Sequence, residues 1–201
     1  MAQFTSMEER NNLFPVFLKL EALNTLVVGG GNVGLEKLNA LLKSCPRAKV
    51  TLVAAAIKEE IRGLAAAAPD IILVERDFKP GDLKGKDLVM LATDDPALHC
   101  RIKELARKKR LLVNVADTPD LCDFYLGSVV TKGNLKIGIS TNGKSPTIAR
   151  RIREYLEEAL PENTNELLNN MQAIRARMKG DFAEKVKMLN DITASWLKRG
   201  D

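Results

Sequence analysis

The run TLVVGGGNVGLEKLNALL, residues 25–42, constrains the fold more than any other part of the chain. A short apolar stretch leads into a glycine-rich turn, and an amphipathic helical pattern follows. The turn fits G-x-G-x-x-G at Gly29, Gly31 and Gly34. The first glycine permits a tight exit from the strand. The second lets backbone approach a pyrophosphate, and the third lets helix and strand pack closely. A helix starting there offers free N–H groups and a partial positive charge to phosphates. A glycine turn used only for packing would look similar. The strand before it and the helix after it favour a dinucleotide site.

The segments beyond this turn keep alternating. Strands are expected over 26–28, 49–53, 71–74, 88–92 and 111–115, with helices over 33–44, 57–66 and 96–108. A short opening strand is expected over 14–19. Such alternation implies a Rossmann-like parallel sheet covered on both faces, an α/β fold. The pattern then changes. FYLGSVVTKGNLKIGIST reads as two strands joined at Lys132-Gly133-Asn134, a turn whose Gly133 and Asn134 tolerate left-handed backbone. Ser145 and Pro146 make an N-cap and first helical position. Ile148, Ile152, Leu156 and Leu160 then form an apolar stripe, which Pro161 ends. Helical patterns follow near 163–178 and 181–198, separated by Gly180 and Asp181. Three regions are expected: a nucleotide-binding domain over 1–116, a hairpin-and-helix region over 117–160, and a helical region over 161–201. A hairpin leaving a parallel sheet needs its apolar face and edge covered, and a second copy of the chain would do so through residues 124–160.

Composition narrows the function classes. Aromatics are only 4% of the 201 residues, which argues against an interleaved aromatic and basic nucleic-acid surface. Net charge is +5, which suits phosphates or a polycarboxylate ligand, or simply a solvated basic surface. The widely spaced Cys45, Cys100 and Cys122 read as thiols in a reducing compartment. MAQFTSMEERNNLFPVF does not read as a signal peptide, and no apolar run is long enough to span a membrane, so a cytoplasmic location is expected.

NAD-binding folds often end the second strand in an acid that holds the ribose hydroxyls. Here that strand runs into Val53-Ala54-Ala55-Ala56, and the first acids, Glu59 and Glu60, fall in the next helix. No basic residue stands at the strand end for a 2′-phosphate, although Lys58 is close. NAD is favoured over NADP.

GGGNVGLEK, ATDDPALH, NVADTPDLCDF and GISTNGKSPTIARRIRE stand in the order and spacing of the siroheme-synthesis dehydrogenases. The chain resembles this family, precorrin-2 dehydrogenases of which some are also sirohydrochlorin ferrochelatases, from about Leu13 to Glu158. The segment around 140–153 is the most specific. The resemblance implies NAD-dependent oxidation of precorrin-2 to sirohydrochlorin by a homodimer. It implies cofactor contacts at Gly29, Gly31, Asn32, Val33, Ala55, Ala56 and Thr93, and a catalytic aspartate at Asp117. Gly34 stands where alanine is commoner in the family, His99 where asparagine is frequent, and Gly127 where proline is usual.

Residue chemistry agrees with that implication. Asp117 follows the fifth strand, at the carboxyl edge where ligands of open α/β sheets bind. Oxidation of a tetrapyrrole sends a hydride to NAD and a proton to a base, and Asp117 is the candidate base. Its other reading is a loop aspartate capping backbone N–H groups beside Pro119. Precorrin-2 carries many carboxylates, so its site should be basic. Lys144, Arg150, Arg151 and Arg153 lie beside or on the helix beginning at Ser145, and arginine holds carboxylates with a planar fork. The same residues could form a solvated face paired with Glu154, Glu157 and Glu158. Thr141 and Ser145 add hydrogen-bonding groups. No fixed metal site is expected. Transient binding of Fe²⁺ at Asp117, and with it iron insertion, stays open. So do a dehydrogenase without chelatase activity and a non-catalytic NAD-sensing module of the kind that gates ion transport. A nucleic-acid-binding role has only charge in its favour.

Overall fold

The computed structural model describes residues 10–178 and 181–194. Two compact units emerge, one of Phe14–Leu126 and a second in which residues 10–13 join the chain from Gly127 onward.

The first unit holds a five-stranded parallel sheet in the order β3-β2-β1-β4-β5. Its strands are β1 (Asn24–Val28), β2 (Lys49–Ala54), β3 (Ile71–Glu75), β4 (Leu88–Leu91) and β5 (Leu112–Val115). The helices between them are α1 (Asn32–Ser44), α2 (Glu59–Ala67) and α3 (Pro96–Lys108). Successive strand residues face opposite sides of a sheet, and β1 shows the consequence. Val27 packs with Leu38 of α1, Leu52 of β2 and Ile61 of α2. Leu26 and Val28 pack on the other face with Ile102 of α3 and Val113 of β5. Near-continuous apolar strands such as LVML in β4 are buried along their whole length because helices cover both faces. Asp95 caps α3, accepting a hydrogen bond from the Leu98 N–H at 3.0 Å, and Pro96 opens that helix.

The expected opening strand over 14–19 does not form. These residues have no regular structure, and Phe14 and Phe17 are 85% and 71% exposed. An apolar run becomes a strand only where a sheet edge accepts its hydrogen bonds, and β3 and β5 end the sheet without it.

The second unit begins with the antiparallel hairpin β6 (Ser128–Lys132) and β7 (Leu135–Ile139). Gly133 sits at its tip with φ +56°, where glycine carries no steric penalty. The Asn165 side chain accepts hydrogen bonds from the backbone N–H and side-chain amide of Asn134, both at 2.9 Å. Gly127, at the entry to the hairpin, lies so close to Ile139 that a Cβ there would stand 2.5 Å from the Ile139 carbonyl oxygen. Three helices follow, α4 (Pro146–Ala159), α5 (Thr164–Arg177) and α6 (Phe182–Thr193). Ser145 caps α4 through the Ile148 N–H at 3.2 Å, as its sequence predicts. Gly180 and residues 195–198, expected at a helix break and a helix end, lie outside the described residues.

The apolar stripe of α4 is only partly buried. Ile148 and Ile152 are 50% and 41% exposed and Leu156 and Leu160 half-buried, while beside the stripe Ala149 is buried and Tyr155 is 57% exposed. A two-stranded hairpin is too narrow to cover the whole stripe.

Candidate active site

Strand order reverses at β1. From there the chain adds β2 and β3 on one side, then returns to place β4 and β5 on the other. Such a switch point leaves a crevice at the carboxyl ends of the strands. The ladder runs one residue past each strand: Gly29 N–H donates to Val53, Ala92 N–H to Val28 and Ala116 N–H to Leu91, at 2.8–3.0 Å. Gly29, Ala92 and Ala116 thus form a row at the carboxyl edge. Thr93 and Asp117 each lie one residue further on.

The glycine turn is shaped by close backbone approaches. Gly29 has φ +121°, and a Cβ on it would run into the Ala92 carbonyl. A Cβ on Gly34 would run into the Gly29 carbonyl, which is the close packing of turn on helix that the motif requires. Gly31 differs, because a Cβ there would meet nothing within 4 Å. Its missing side chain faces open space. Gly31 is the N-cap of α1, and no side chain bonds the N–H groups of the first turn, at Asn32, Val33 and Gly34. These features fit a pyrophosphate on the helix N-terminus.

Gly30 was not assigned a role by the motif. A Cβ on it would collide with the Ala56 carbonyl and press on the Ala54 side chain. The signal was the run of three consecutive glycines, with Gly30 in the middle. Ala55 and Ala56 are exposed beyond the end of β2, and Glu59 and Glu60 open α2, as the sequence indicates. Lys58 lies nearer the turn than sequence spacing suggests. Its Nζ donates to Asn32 Oδ1 at 2.8 Å.

Thr93 Oγ1 lies 2.9 Å from Nε2 of His99 on α3. His99 is buried, and that burial pushes its pKa below the usual imidazole value, against the opposing pull of Asp95, of a hydrogen bond to the Thr93 backbone and of Asp94. The neutral ring braces Thr93, a link visible in sequence only as a histidine six residues further on.

Asp117 is held by the segment that follows it. β5 is an edge strand, and residues 118–124 are bonded along it. Asp123 N–H donates to the Val113 carbonyl at 2.7 Å, and Asp123 Oδ2 accepts from the Val113 N–H at 2.9 Å. The Asn114 amide donates to Phe124 at 2.9 Å, and the Cys122 thiol is 3.2 Å from both the N–H and the carbonyl of Val115. The reversal between strand and strap falls on Asp117, whose φ is +54°. A non-glycine residue in that region costs about 1–3 kcal/mol, less for Asp than for bulkier residues, and such residues cluster at functional sites. The Asp117 carboxylate is exposed and has no hydrogen-bond or ion-pair partner among the described residues. It does not cap the turn at Pro119.

The expected substrate residues belong to the second unit. Thr141 Oγ1 donates to the Ser145 carbonyl at 3.1 Å and accepts from the Ser145 N–H at 3.3 Å. The Lys144 N–H closes the same loop onto the Thr141 carbonyl at 3.0 Å. Asn142 and Gly143, with φ of +54° and +75°, shape the turn between them. Arg150 pairs with Glu154 at 2.8 Å and Arg153 with Glu157 at 2.7 Å, each four residues on. Hydrogen bonding to Glu154 holds the Arg150 guanidinium above its ordinary pKa. Arg151 is exposed and makes no ion pair among the described residues. No group of three or more His, Cys, Asp or Glu side chains among the described residues could hold a metal ion. No helix there is long and apolar enough to cross a membrane.

A family model described as "Putative NAD(P)-binding" matches residues 16–128, which hold the whole parallel sheet. The chain belongs to this family. A second model, described as "Sirohaem biosynthesis protein central", matches residues 132–159, which hold β7 and α4. Among curated relatives, a siroheme synthase of Ruthia magnifica is 36% identical over 88% of this chain and 35% of its own length. A siroheme synthase of Psychrobacter cryohalolentis is 34% identical over 92% of this chain and 34% of its own length. The chain therefore spans about a third of these relatives. A solved structure described as SirC, precorrin-2 dehydrogenase, superposes with a TM-score of 0.72 at 25% identity, covering 90% of this chain and 89% of that one. The resemblance drawn from the sequence motifs thus recurs in two family models, in curated relatives and in a solved fold.

Proposed function

We propose that this chain oxidises precorrin-2 to sirohydrochlorin in siroheme biosynthesis, with NAD as the oxidant. One observation carries the reading: the glycine turn, Thr93 and Asp117 lie together at the carboxyl edge of the adjacent strands β1, β4 and β5. Gly29, Gly31, Asn32, Val33 and Gly34 would hold the cofactor's pyrophosphate, and Ala55, Ala56 and Thr93 would line the rest of its site. Bound there, NAD would supply the hydride acceptor. The chain must then take the proton that leaves with the hydride. Asp117 suits that task, being an unpartnered carboxylate fixed by a strained backbone rather than by side-chain bonds. Arginines and Lys144 around α4 suit a substrate rich in carboxylates, and Thr141 and Ser145 add hydrogen-bonding groups beside it. The same reading takes the protein as a cytoplasmic homodimer. Its support is the apolar face of α4, where Ile148, Ile152 and Tyr155 are 41–57% exposed.

The test is anaerobic incubation with precorrin-2 and NAD, following the tetrapyrrole and NADH spectra, with Fe²⁺ added afterwards. Sirohydrochlorin and NADH should appear together. Asp117→Ala should slow turnover about 10²–10⁴-fold while NADH binding is kept. A further enzyme-dependent change on adding Fe²⁺ would add iron insertion to the activity, with Fe²⁺ as substrate. Bound NADH with unchanged precorrin-2 in folded protein would instead favour the NAD-sensing module.

A further inference from the structure

We propose that Lys58 is a phosphate contact of the cofactor site, held in position by Asn32. This rests on the cofactor reading above and adds a residue to it.

Lys58 is the N-cap residue of α2, yet it is tied to the glycine turn at two points. Its backbone N–H donates to the Gly30 carbonyl at 3.1 Å. Its ammonium donates to the Asn32 side chain at 2.8 Å and lies 3.3 Å from Glu60. Asn32 is the first residue of α1 and follows Gly31, whose absent Cβ opens onto empty space. The ammonium therefore stands beside the helix end that receives phosphate. It adds a full positive charge to the partial charge of the helix terminus. A lysine serving only α2 would need just its own helix and Glu60, whereas this one reaches across to α1.

Glu60 shares the ammonium with Asn32, so a phosphate would compete with it there, and the end of β2 adds no further carboxylate. β2 ends in Ala54, and the exposed Ala55 and Ala56 place no carboxylate at the position that commonly holds the adenosine ribose. The ligand chemistry is a phosphate ester of the cofactor. It has two sources: the pyrophosphate shared by NAD and NADP, and the 2′-phosphate carried by NADP alone.

The experiment is titration of the full chain and of Lys58→Met with NADH and with NADPH, read by nicotinamide fluorescence, with thermal melting as the check on folding. A charge-assisted bond to phosphate predicts about tenfold weaker binding or more in Lys58→Met, and Lys58→Arg should recover most of it. An equal loss for both nucleotides assigns Lys58 to the pyrophosphate. A loss confined to NADPH assigns it to the 2′-phosphate and makes it the residue that lets this site accept NADP. Unchanged affinity for both in a folded variant overturns the proposal and leaves Lys58 a helix cap paired with Glu60. If the unaltered chain binds neither nucleotide, the cofactor reading itself fails, a result distinct from an unaffected variant.

Discussion

Leu52 in β2 and Ile152 in α4 are aliphatic residues of regular elements, yet Leu52 is fully buried and Ile152 is 41% exposed. The contrast holds for their surroundings. Leu26, Val27, Val53 and Leu91 are sealed in the parallel sheet, while Ile148 and Tyr155 stand open on α4. A five-stranded sheet with helices on both faces closes its own core. A two-stranded hairpin is marginal by itself and covers one side of a helix. The first unit also leaves apolar side chains open, at Phe14 and Phe17 before β1 and at Ile72 and Leu112 on its edge strands β3 and β5. The cofactor candidates thus sit on a self-sufficient scaffold. The substrate candidates sit on one whose apolar surface is left for something else to cover.

The largest effect should separate these two residues directly. Leu52→Ala should cost about 3 kcal/mol of unfolding free energy, as buried leucines do. Ile152→Ala should cost no more than about 0.5 kcal/mol in the monomeric chain. Urea unfolding at several protein concentrations measures both. If the open face is a homodimer interface, Ile152→Glu should convert dimer to monomer in light scattering and leave Leu52 buried. A concentration-independent loss in Ile152→Ala as large as that in Leu52→Ala would erase the contrast.

What could be read in the sequence divides along the same line. Helix and strand alternation, the glycine turn and the Ser145-Pro146 helix start rest on local chemistry, and all form where expected. The apolar run before β1 and the stripe of α4 were less legible. Hydrophobicity says that a surface prefers burial. It does not say whether the same chain supplies the cover. At the site, the close backbone packing at Gly29 and Gly34 and the open space at Gly31 follow from their spacing. The roles of Gly30 and of the Lys58–Asn32 and Thr93–His99 bonds depend on residues brought together only by the parallel sheet. The backbone strain at Asp117 was hidden as well, because it arises where the strap over residues 118–124 turns back along β5.

The charges of the second unit offer the next test. Arg150 and Arg153 are each engaged by a glutamate one turn on, so a carboxylate-rich substrate must compete with Glu154 and Glu157. Arg150→Ala should weaken tetrapyrrole binding about tenfold and leave NADH affinity unchanged, because a fork contact to carboxylate is lost. Glu154→Gln should do the reverse, releasing the guanidinium and holding substrate as well or better. Equilibrium titration of both ligands against each variant reads this out. Parallel losses of NADH and tetrapyrrole would point to disturbed folding, and would remove α4 from the substrate site.

The smallest effect returns to the sealed unit, at the bond between His99 and Thr93. Burial keeps His99 neutral in the folded chain to a lower pH than in the unfolded chain, where it titrates near about 6.5. Below that pH the unfolded chain takes up a proton that the folded chain refuses, so stability is lost as pH falls toward the folded value. Above it the group contributes no slope. One proton changes unfolding free energy by at most about 1.4 kcal/mol per pH unit. Asp94 and Asp95 pull against burial, so the slope should stay below that ceiling. Carboxylates also titrate as pH falls, and the comparison that isolates the histidine is His99→Asn. Its amide can keep a hydrogen bond to Thr93 without titrating. Urea midpoints at pH 7.5 and 5.5 should differ less in His99→Asn than in the unaltered chain, with NADH affinity retained at pH 7.5. His99→Ala should lose affinity at both pH values, since nothing then braces Thr93. Equal NADH binding by the alanine and asparagine variants would leave His99 a packing residue, and the first unit would carry its cofactor edge on backbone geometry alone.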